Sequence, residues 1–457
     1  MSDSSPVQPT SETFSRRSFL RNSSLAVAGA AALNDLPFVV TSHAAPDDPI
    51  RIGLIGCGGR GSGAIADALG AATDVNYPQA GYHTENISAK AIAANASKNI
   101  KVVALADVFP DRLNNCREQL KKLNMNIADD MCFTGFEAYK KLVTVPEVNY
   151  VILATPPHFR PMMVKAAIEA GKNVFMEKPV AVDGPGVRMV IEAGELAKQK
   201  NLGMVAGTQR RHQKSYIETM KRIHDGMIGD IMYARGYWNG GVIWVIEKQD
   251  QWTDMEWQLR NWNYFTWLGG DHIVEQHVHN LDVINWAMNA HPIRAIGMGG
   301  RQARPNKNYG HIYDHFAVEY EYENGARMFS QCRQMNNCEG KVEEMLVGTK
   351  GTSKCGDWIR PSSGSPWRHR NSGDPNPYQQ EHLDLIESIR AGTPLNEAKT
   401  VAESTLTGIM GRESAYTGKS VEWEQALNST MRLGPEKYEM GSLPFPEVAV
   451  PGQYKFA

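Results

Sequence analysis

Three glycines provide the first chemical signal in the sequence. Gly56, Gly58 and Gly61 follow the spacing G-x-G-x-x-G, directly after the apolar run IRIGLI and before a helical pattern. Glycines at this spacing permit a tight turn and let the backbone approach a pyrophosphate at the N-terminus of the following helix. The motif alone is weak, because glycine-rich turns between a strand and a helix also serve packing. Together with Gly59 and Arg60, these residues are predicted to bind a dinucleotide.

A carboxylate at the end of the second predicted strand completes this signal. The strand KVVALAD ends in Asp107, and a carboxylate there accepts hydrogen bonds from a ribose 2′-hydroxyl and repels a 2′-phosphate. NAD is therefore favoured over NADP. Asp107 follows Gly61 by 46 residues (107 − 61), whereas about 20 residues are typical of this motif. The excess, roughly residues 71–98, is a polar insertion.

The elements that position these residues change character along the chain. From Ile50 onward, strand-like runs alternate with amphipathic helical patterns, which predicts an α/β unit with a doubly wound parallel sheet. After about residue 210 the strands become longer and mostly antiparallel, and Asn324-Gly325 predicts a hairpin with a type I′ turn. We expect a Rossmann dinucleotide-binding domain over 48–208, an α+β domain with an open, mostly antiparallel sheet over 209–430, and a tail over 431–457.

The N-terminal 44 residues have the pattern of an export signal. Arg16 and Arg17 precede an apolar stretch from Leu25 to Val40, and a small-x-small site favours cleavage after Ala44. The paired arginines resemble the twin-arginine signal of bacteria, which exports proteins already folded. Polar residues and a proline interrupt the apolar stretch, so a permanent membrane anchor is the less favoured alternative. The sequence predicts a periplasmic or otherwise exported protein.

Composition limits the partners. The formal net charge is −2 and the basic residues are interspersed with acidic ones, so no electrostatic footprint for nucleic acid is present. The six cysteines form no C-x-x-C pair in a chain of 457 residues, which indicates buried thiols rather than a disulfide framework or a metal site. A small, mostly neutral molecule is the expected partner.

Three further motifs appear in order along the chain. They are ATPPHFR at 154–160, EKP at 177–179 and GGDHIVEQHVHNLD at 269–282. With the glycine motif, they resemble the Gfo/Idh/MocA oxidoreductases over nearly all of the chain from Ile50 to about Leu427. The resemblance implies a nicotinamide cofactor, oxidation of a hydroxyl on a sugar or cyclitol, and a homo-oligomer, either a dimer or a tetramer.

The resemblance also implies roles for individual residues. Glu177 and Lys178 would lie at the nicotinamide, and the Lys178-Pro179 bond would be cis. A lysine beside a positively charged ring and away from water is easier to deprotonate, which suits proton relay; a solvated lysine at a strand end is the structural alternative. The other residues assigned to the cofactor are Thr155, Pro156, His158 and Gln209.

The third motif departs from the family pattern GGGxxxDxGxH. Asp271 replaces the third glycine, Glu275 the aspartate and His277 the later glycine, whereas His279 keeps its place. A continuous helix would put Glu275 and His279 on one face with His272, and His277 on another. We favour His279 as the base that takes a hydroxyl proton, with Glu275 orienting it. A structural role for His279 stays open, as does a metal site of His272, Glu275 and His279 that lacks a fourth ligand.

Aromatic residues cluster between the motifs. Six of the ten tryptophans fall between residues 238 and 267, and aromatic faces pack on the C–H faces of sugars, so this segment is a candidate substrate platform. Core packing and a subunit interface are equal alternatives. Tyr378, Glu381 and His382 follow a loop and are positioned to reach the site. The substrate is assigned to Lys178, Arg211, Trp262, His279 and Tyr378.

Three functions are consistent with these patterns. The first is a sugar or cyclitol oxidoreductase with tightly bound NAD. The second is an NAD-dependent glycoside hydrolase, in which transient oxidation of a hydroxyl allows elimination and the hydride returns at the end. The third is a non-enzymatic binding protein on the same fold. Export favours chemistry that returns a retained cofactor to its starting state, because free NAD is scarce outside the cytoplasm.

Overall fold

The computed structural model describes residues 49–70, 74–76, 83–85, 99–370 and 373–457. The predicted signal peptide over 1–44 and most of the insertion over 71–98 lie outside these ranges. Within the insertion, two short strands, β2 (Asp74–Asn76) and β3 (His83–Glu85), pair antiparallel. Within the described ranges, no helix is both long enough and apolar enough to cross a membrane.

The first half of the described chain forms a six-stranded parallel sheet in the order β5-β4-β1-β6-β7-β8. Its strands are β1 (Ile50–Ile55), β4 (Ile100–Asp107), β5 (Cys132–Thr134), β6 (Tyr150–Leu153), β7 (Asn173–Met176) and β8 (Met204–Ala206). The helices between them are α1 (Gly59–Ala68), α2 (Pro110–Lys122), α3 (Ala138–Val143), α4 (Arg160–Glu169) and α5 (Gly184–Gln199). Strand residues are buried on both faces, as expected of a parallel sheet covered by helices. The predicted Rossmann architecture is confirmed.

The second sheet has nine strands within the described ranges, in the order β16-β15-β14-β13-β9-β12-β11-β10-β17. They are β9 (Ile231–Gly240), β10 (Pro292–Gly300), β11 (His315–Tyr322), β12 (Arg327–Gln334), β13 (Lys341–Gly348), β14 (Gly351–Lys354), β15 (Trp358–Pro361), β16 (Trp367–Arg368) and β17 (Val421–Glu422). Every pairing is antiparallel except β9 with β12, which is parallel. The prediction of a mostly antiparallel sheet is confirmed.

The hairpin between β11 and β12 is present, but its turn differs from the predicted type I′. Gly325 has φ of +82°, whereas Asn324 does not have a positive φ. The Tyr322 amide donates to the Ala326 carbonyl at 3.0 Å, which closes a loop of three residues. A three-residue loop needs only one left-handed position, so glycine alone supplies it.

Helices cover one side of the second sheet and return to the first. They are α6 (Lys214–His224), α7 (Asp254–Arg260), α8 (Thr266–Gly269), α9 (His272–Glu275), α10 (Val278–Met288), α11 (Pro377–Arg390), α12 (Ala398–Thr417) and α13 (Trp423–Asn428). Although α11 follows the second sheet in sequence, its Leu385, Ile386 and Ile389 pack into the core that contains β1. The first turn of α11 is thereby placed beside the glycine turn.

The tail beyond α13 lies along the protein surface. The Leu433 amide donates to Asp183 at 2.9 Å, and Tyr438 hydrogen-bonds His158 through its hydroxyl at 2.8 Å. Further on, the Ala449 carbonyl accepts from the Tyr313 hydroxyl at 2.9 Å. The tail therefore joins the first sheet unit to the second.

Candidate active site

One large cavity lies where the carboxyl ends of β1, β4, β6 and β7 face the second sheet. Its volume is about 1130 Å³, which exceeds the range of roughly 300–1000 Å³ usual for small-molecule sites. The predicted residues on its wall are Gly56, Gly58, Gly59, Arg60, Asp107, Thr155, Pro156, Glu177, Lys178, Gln209, Trp262, Glu275, His279 and Tyr378. The cavity is therefore larger than a site for one small molecule requires.

The glycine turn has no space for side chains at two of its positions. Gly56 has φ of +97°, and a Cβ added there would lie 2.6 Å from the Ala154 carbonyl carbon. A Cβ at Gly61 would lie 1.9 Å from the Gly56 oxygen. Gly61 itself is not on the cavity wall; it lets α1 approach β1 closely, the packing role expected of the third glycine. Gly58 precedes α1, so the N-terminus of this ten-residue helix opens at the cavity.

Asp107 fixes the strand end beside this turn. One carboxylate oxygen accepts from the Cys57 amide at 2.6 Å and the other from the Phe109 amide at 2.8 Å. Burial raises the pKa of Asp107, and the nearby Arg112 opposes that shift. Asp107 and Arg112 both line the cavity, so an acceptor and a cation meet at the end where an adenosine ribose would lie.

Lys178 and Glu275 form the centre of the cavity wall. The Lys178-Pro179 peptide is cis, as predicted. The Lys178 Nζ donates to the Glu275 backbone oxygen at 2.5 Å and to its carboxylate at 3.0 Å. Both side chains are about one-seventh exposed, at 14% and 13%. The ammonium group is therefore held at a fixed point, partly shielded from water.

His279 lies beside this pair. Its ring stacks on Trp238 with centroids 5.7 Å apart and an interplanar angle of 20°. Burial lowers the pKa of His279 well below its usual value, and the positive charge of Lys178 lowers it further. The imidazole is consequently neutral at neutral pH.

The segment around these residues is two helices rather than the single helix assumed from the sequence. α9 ends at Glu275 and α10 begins at Val278. Asp271, which has φ of +69°, accepts hydrogen bonds from the His272 amide and from Tyr416 at 2.6 and 2.5 Å. Although burial alone would raise it, bonds from His272 and Tyr416 hold the pKa of Asp271 below its usual value. Asp271 thus occupies a left-handed position and caps α9.

The other two histidines of this motif are structural. His272 packs on Phe316 with its ring bonded to Asp271 at 3.0 Å. His277 is fully buried and hydrogen-bonds Ser330 at 2.7 Å, and burial lowers its pKa to about 3. No three His, Cys, Asp or Glu side chains in the described part of the chain are grouped as metal ligands. His272 and Glu275 point to different surroundings, which argues against the metal alternative.

Two predicted contacts are corrected. Arg211 does not line the cavity; its guanidinium pairs with Asp282 through two bonds of 2.8 and 2.9 Å, and this pair lies inside the protein. His158 lies behind the wall, in an aromatic cluster with Trp267 and Tyr438, where burial lowers its pKa to about 4. The sequence predicted both residues at the site, His158 through the motif ATPPHFR, but gave no sign of their partners.

The tryptophan-rich segment divides between wall and core. Trp238, Trp244, Trp252 and Trp262 line the cavity. Trp257 and Trp267 are buried in the core. Four of the six side chains therefore lie on the cavity wall, and two belong to the core.

Several wall residues were not predicted. Arg260 at the end of α7 makes two bonds, of 3.0 and 3.1 Å, to Asp111 at the start of α2. Asn263 is buried on the wall, and neither polar atom of its side chain has a hydrogen-bond partner in the described ranges. Because Arg260 and Asp111 are 149 positions apart, no local sequence pattern could have paired them.

Of the three residues predicted after the second sheet, Tyr378 and Glu381 reach the cavity and His382 does not. Tyr378 accepts from the Gln209 amide nitrogen at 3.2 Å, and Glu381 lies one turn further along α11; both are on the wall. His382 instead hydrogen-bonds Tyr150 at 3.1 Å and packs on Phe175.

Comparison with known proteins relates this chain to a family of oxidoreductases. Residues 50–207 match a family described as "Oxidoreductase family, NAD-binding Rossmann fold", and residues 216–354 match the "GFO/IDH/MocA C-terminal domain". Together the two matches cover more than half of the chain.

Among curated relatives, an uncharacterized oxidoreductase of Streptococcus pneumoniae is 27% identical over 43% of this chain and 50% of its own length. The inositol 2-dehydrogenase/D-chiro-inositol 3-dehydrogenase of Lactiplantibacillus plantarum is 24% identical over 51% of this chain and 57% of its own. The chain thus spans about half the length of these relatives. The aldose-aldose oxidoreductase of Caulobacter crescentus, solved with glycerol, superposes with a TM-score of 0.61 at 17% identity, covering 82% of this chain and 99% of that one. This last likeness concerns the fold.

Proposed function

Because the chain belongs to the Gfo/Idh/MocA family of oxidoreductases, we propose that it transfers hydride from a hydroxyl-bearing carbon of a sugar or cyclitol to NAD. The observation that carries the proposal is the convergence of Lys178, Glu275 and His279 on the wall that also holds the glycine turn. Relatives named as inositol 2-dehydrogenases support a polyol as the substrate class. Trp262 is the further wall residue that we assign to the substrate. Tyr378, which the sequence also predicts at the substrate, stacks under Arg60 and bonds Gln209, so we place it beside the dinucleotide instead.

The cavity fits a nicotinamide dinucleotide. Gly56 and Gly61 leave room for backbone only, and the N-terminus of α1 faces the space where a pyrophosphate would lie. We infer NAD rather than NADP, because the Asp107 carboxylate can accept from ribose hydroxyls and would repel a 2′-phosphate. When bound, the nicotinamide supplies the hydride acceptor.

We assign the transfer of the substrate hydroxyl proton to side chains of the cavity wall. His279 is neutral at neutral pH, so a ring nitrogen takes the proton of the substrate hydroxyl. The Lys178 ammonium, fixed by two bonds to Glu275, lies where it stabilises the developing negative charge on that oxygen. Trp238 holds the His279 ring by stacking. Glu275 acts by orienting Lys178.

We further propose that the dinucleotide stays bound between turnovers. Arg260 and Asp111 close the cavity from opposite sides near Asp107, and Arg260 also lies 4.0 Å from the centroid of the Phe109 ring. Retention accords with the proposal that the protein is exported through its N-terminal twin-arginine segment, since an exported enzyme has no pool of NAD to draw on. The retained cofactor would then pass its hydride either to a second sugar or back to the same substrate, which returns it to its oxidised state.

A homo-oligomer, either a dimer or a tetramer, is proposed from the outward face of the second sheet. Ile296, Met298 and Phe329 are exposed there at 54%, 74% and 42%. Ile296 and Met298 lie on β10 and Phe329 lies on β12, with β11 between the two strands. Exposed apolar groups on one face of a sheet are typical of a surface that another subunit covers. Light scattering of the wild type and of Met298→Glu tests this: a loss of subunits in the variant supports the face, and an unchanged mass excludes it.

Product analysis tests the proposed reaction against its alternatives. Protein purified without added nucleotide is denatured and its supernatant assayed for NAD, and intact protein is incubated with cyclitols, aldoses and aryl glycosides. A carbonyl product, alone or paired with a reduced sugar, supports the oxidoreductase. Release of the aglycone without net redox change supports the NAD-dependent hydrolase instead. Absence of both products with every compound would leave the binding protein as the function.

A further inference from the structure

One face of α11 completes the cavity next to Arg60. Tyr378 and Glu381 are three residues apart, which puts them on one side of the helix, and both belong to the cavity wall. The Tyr378 ring lies under the Arg60 guanidinium at 5.5 Å, and its hydroxyl accepts from Gln209. Arg60 is at the start of α1, so this face adjoins the N-terminus that would hold a pyrophosphate.

Glu381 is the unusual residue on this face. Its side chain is 1% exposed, and neither carboxyl oxygen has a hydrogen-bond partner in the described ranges. A buried carboxylate without a partner is costly, so such a group is either neutral or completed by a ligand. The cations nearby are already engaged. Arg60 pairs with Glu177 at 2.5 Å and with Asp67 at 3.2 Å.

The surroundings of Glu381 favour its neutral form. Burial raises its pKa well above the usual value, and the charge of Glu177 raises it further. Arg60 and His212 oppose this shift, but His212 is itself bonded to Asp384 at 2.6 Å. Asp67 adds a further negative charge, which also raises the pKa of Glu381. Burial raises the pKa of the neighbouring Tyr150 well above its usual value, so its hydroxyl stays un-ionised. Burial without a hydrogen-bond partner and the neighbouring carboxylates thus favour the protonated form of Glu381, which can donate a hydrogen bond.

We propose that Glu381 is a further dinucleotide-binding residue, which donates a hydrogen bond from its carboxylic acid to an oxygen of the nicotinamide-side ribose or its phosphate. Its carboxyl group lies close to Arg60 and to Glu177, the residue before Lys178, which puts it at this half of the cofactor rather than at the adenosine end marked by Asp107. A carboxylate here would repel the phosphate, whereas a neutral acid binds it. The inference rests on the proposed function, because it takes the cavity to be a dinucleotide site.

The experiment compares Glu381→Ala and Glu381→Gln with the wild type, all stripped of bound nucleotide with charcoal. The dissociation constants of NAD and AMP are measured by calorimetry between neutral and alkaline pH. Loss of one hydrogen bond to a phosphate or ribose oxygen should weaken NAD binding by Glu381→Ala on the order of 10- to 100-fold. AMP, which lacks the nicotinamide half, should bind the variant as it binds the wild type. Glu387→Gln, on the exposed side of the same helix, is the matched control.

The glutamine variant tests the protonated state. A glutamine amide also donates, so Glu381→Gln should bind NAD nearly as the wild type does at neutral pH. NAD binding by the wild type should weaken as pH rises and Glu381 ionises, whereas Glu381→Gln should lack that weakening.

The remaining outcomes overturn the proposal at different levels. Unchanged NAD affinity in Glu381→Ala excludes Glu381 as a ligand. A glutamine variant as weak as the alanine variant excludes the neutral donor. Equal loss of NAD and AMP binding means that the variant fold has changed, which refutes a contact specific to the nicotinamide half. A wild type that binds AMP but not NAD refutes the proposed function itself, whatever the variants do.

Discussion

Replacing Arg260 with alanine should speed the release of bound dinucleotide without changing the chemistry at Lys178. Arg260 lies at the end of α7 and reaches across the cavity to Asp111 at the start of α2, with bonds of 3.0 and 3.1 Å. Its guanidinium carbon also lies 4.0 Å from the Phe109 ring centroid and 4.9 Å from that of Trp252. All four residues are on the cavity wall, and we expect their contacts to hold the adenosine end of the cavity closed.

The size of the effect follows from the exposure of the partners. Asp111 is 56% exposed, so the ion pair contributes about 0.2–1 kcal/mol. Each cation–π contact adds about 0.5–1 kcal/mol at a partly exposed site. Arg260→Ala should therefore remove about 1–3 kcal/mol, which corresponds to roughly 5- to 150-fold faster release. Asp111→Asn removes only the ion pair and should accelerate release by at most about 5-fold.

The assay follows release of NAD from the purified protein after dilution, by fluorescence of the reduced cofactor or by rapid filtration. Arg222→Ala is the matched control, because Arg222 also has an ion pair, to Glu218 at 2.7 Å, and an aromatic contact, with Trp367 at 4.2 Å, but lies outside the cavity wall. A release rate for Arg260→Ala equal to that of the control would refute the reasoning. An effect of Asp111→Asn as large as that of Arg260→Ala would refute the partition into ion pair and stacking.

Three other predictions concern the reacting groups, the cofactor preference and stability. Lys178→Met and His279→Gln should each retain NAD but slow hydride transfer by roughly 10²- to 10⁴-fold in single-turnover measurements. His277→Asn should instead lower the melting temperature, and its rate of hydride transfer should stay closer to that of the wild type than the rate of either of those variants. Asp107→Asn should weaken NAD relative to NADP by roughly 10-fold or more in equilibrium binding; an unchanged ratio would remove Asp107 from cofactor selection. The pKa of His158 is lowered from 6.5 to about 4 in the folded protein, so the unfolded state takes up that proton first as pH falls. The stability that follows from this pKa difference is complete above pH 6.5 and is lost as pH falls from 6.5 to about 4, by up to about 3 kcal/mol. In urea unfolding, the free energy of unfolding of His158→Phe should depend less on pH over this window than that of the wild type.

The sequence predicts those features of the site that are determined by residues close together in the chain. The conformation at Gly56 and the close packing at Gly61 are demands of the glycine turn itself, and Asp107 ends its strand because the apolar run stops there. The cis bond before Pro179 and the place of His279 follow from motifs in register.

The parts that could not be predicted depend on distant partners. The helix breaks after Glu275 in a segment whose start is fixed by Asp271, which bonds Tyr313 and Tyr416, 42 and 145 positions away. The Arg211 side chain turns inward because it pairs with the buried Asp282. Neither interaction leaves a periodic trace in sequence, so a register drawn from helical spacing alone misplaces the side chains between them.

The packing of α11 against the first sheet is a second feature that could not be predicted from the sequence. A change from alternating to antiparallel patterns suggests two sequential domains, but Leu385 and Ile389 face the core under β1. Hydrophobic spacing in α11 predicts a buried face without saying which sheet it covers. The sequence predicts Glu381 near the site, but the part of the cavity that it lines is known only from the tertiary packing.

The central claim is that Lys178 and His279 act on a polyol hydroxyl beside a resident NAD. The most direct measurement is a single-turnover experiment, in which protein carrying its own nucleotide is mixed with a panel of cyclitols and aldoses and the ultraviolet absorbance of reduced nicotinamide is followed. The account predicts that at least one polyol reduces the bound cofactor in near-stoichiometric amount, and that Lys178→Met with the same nucleotide content does not. A wild type loaded with NAD that no polyol reduces, or a Lys178→Met variant reduced at the wild-type rate, would contradict it.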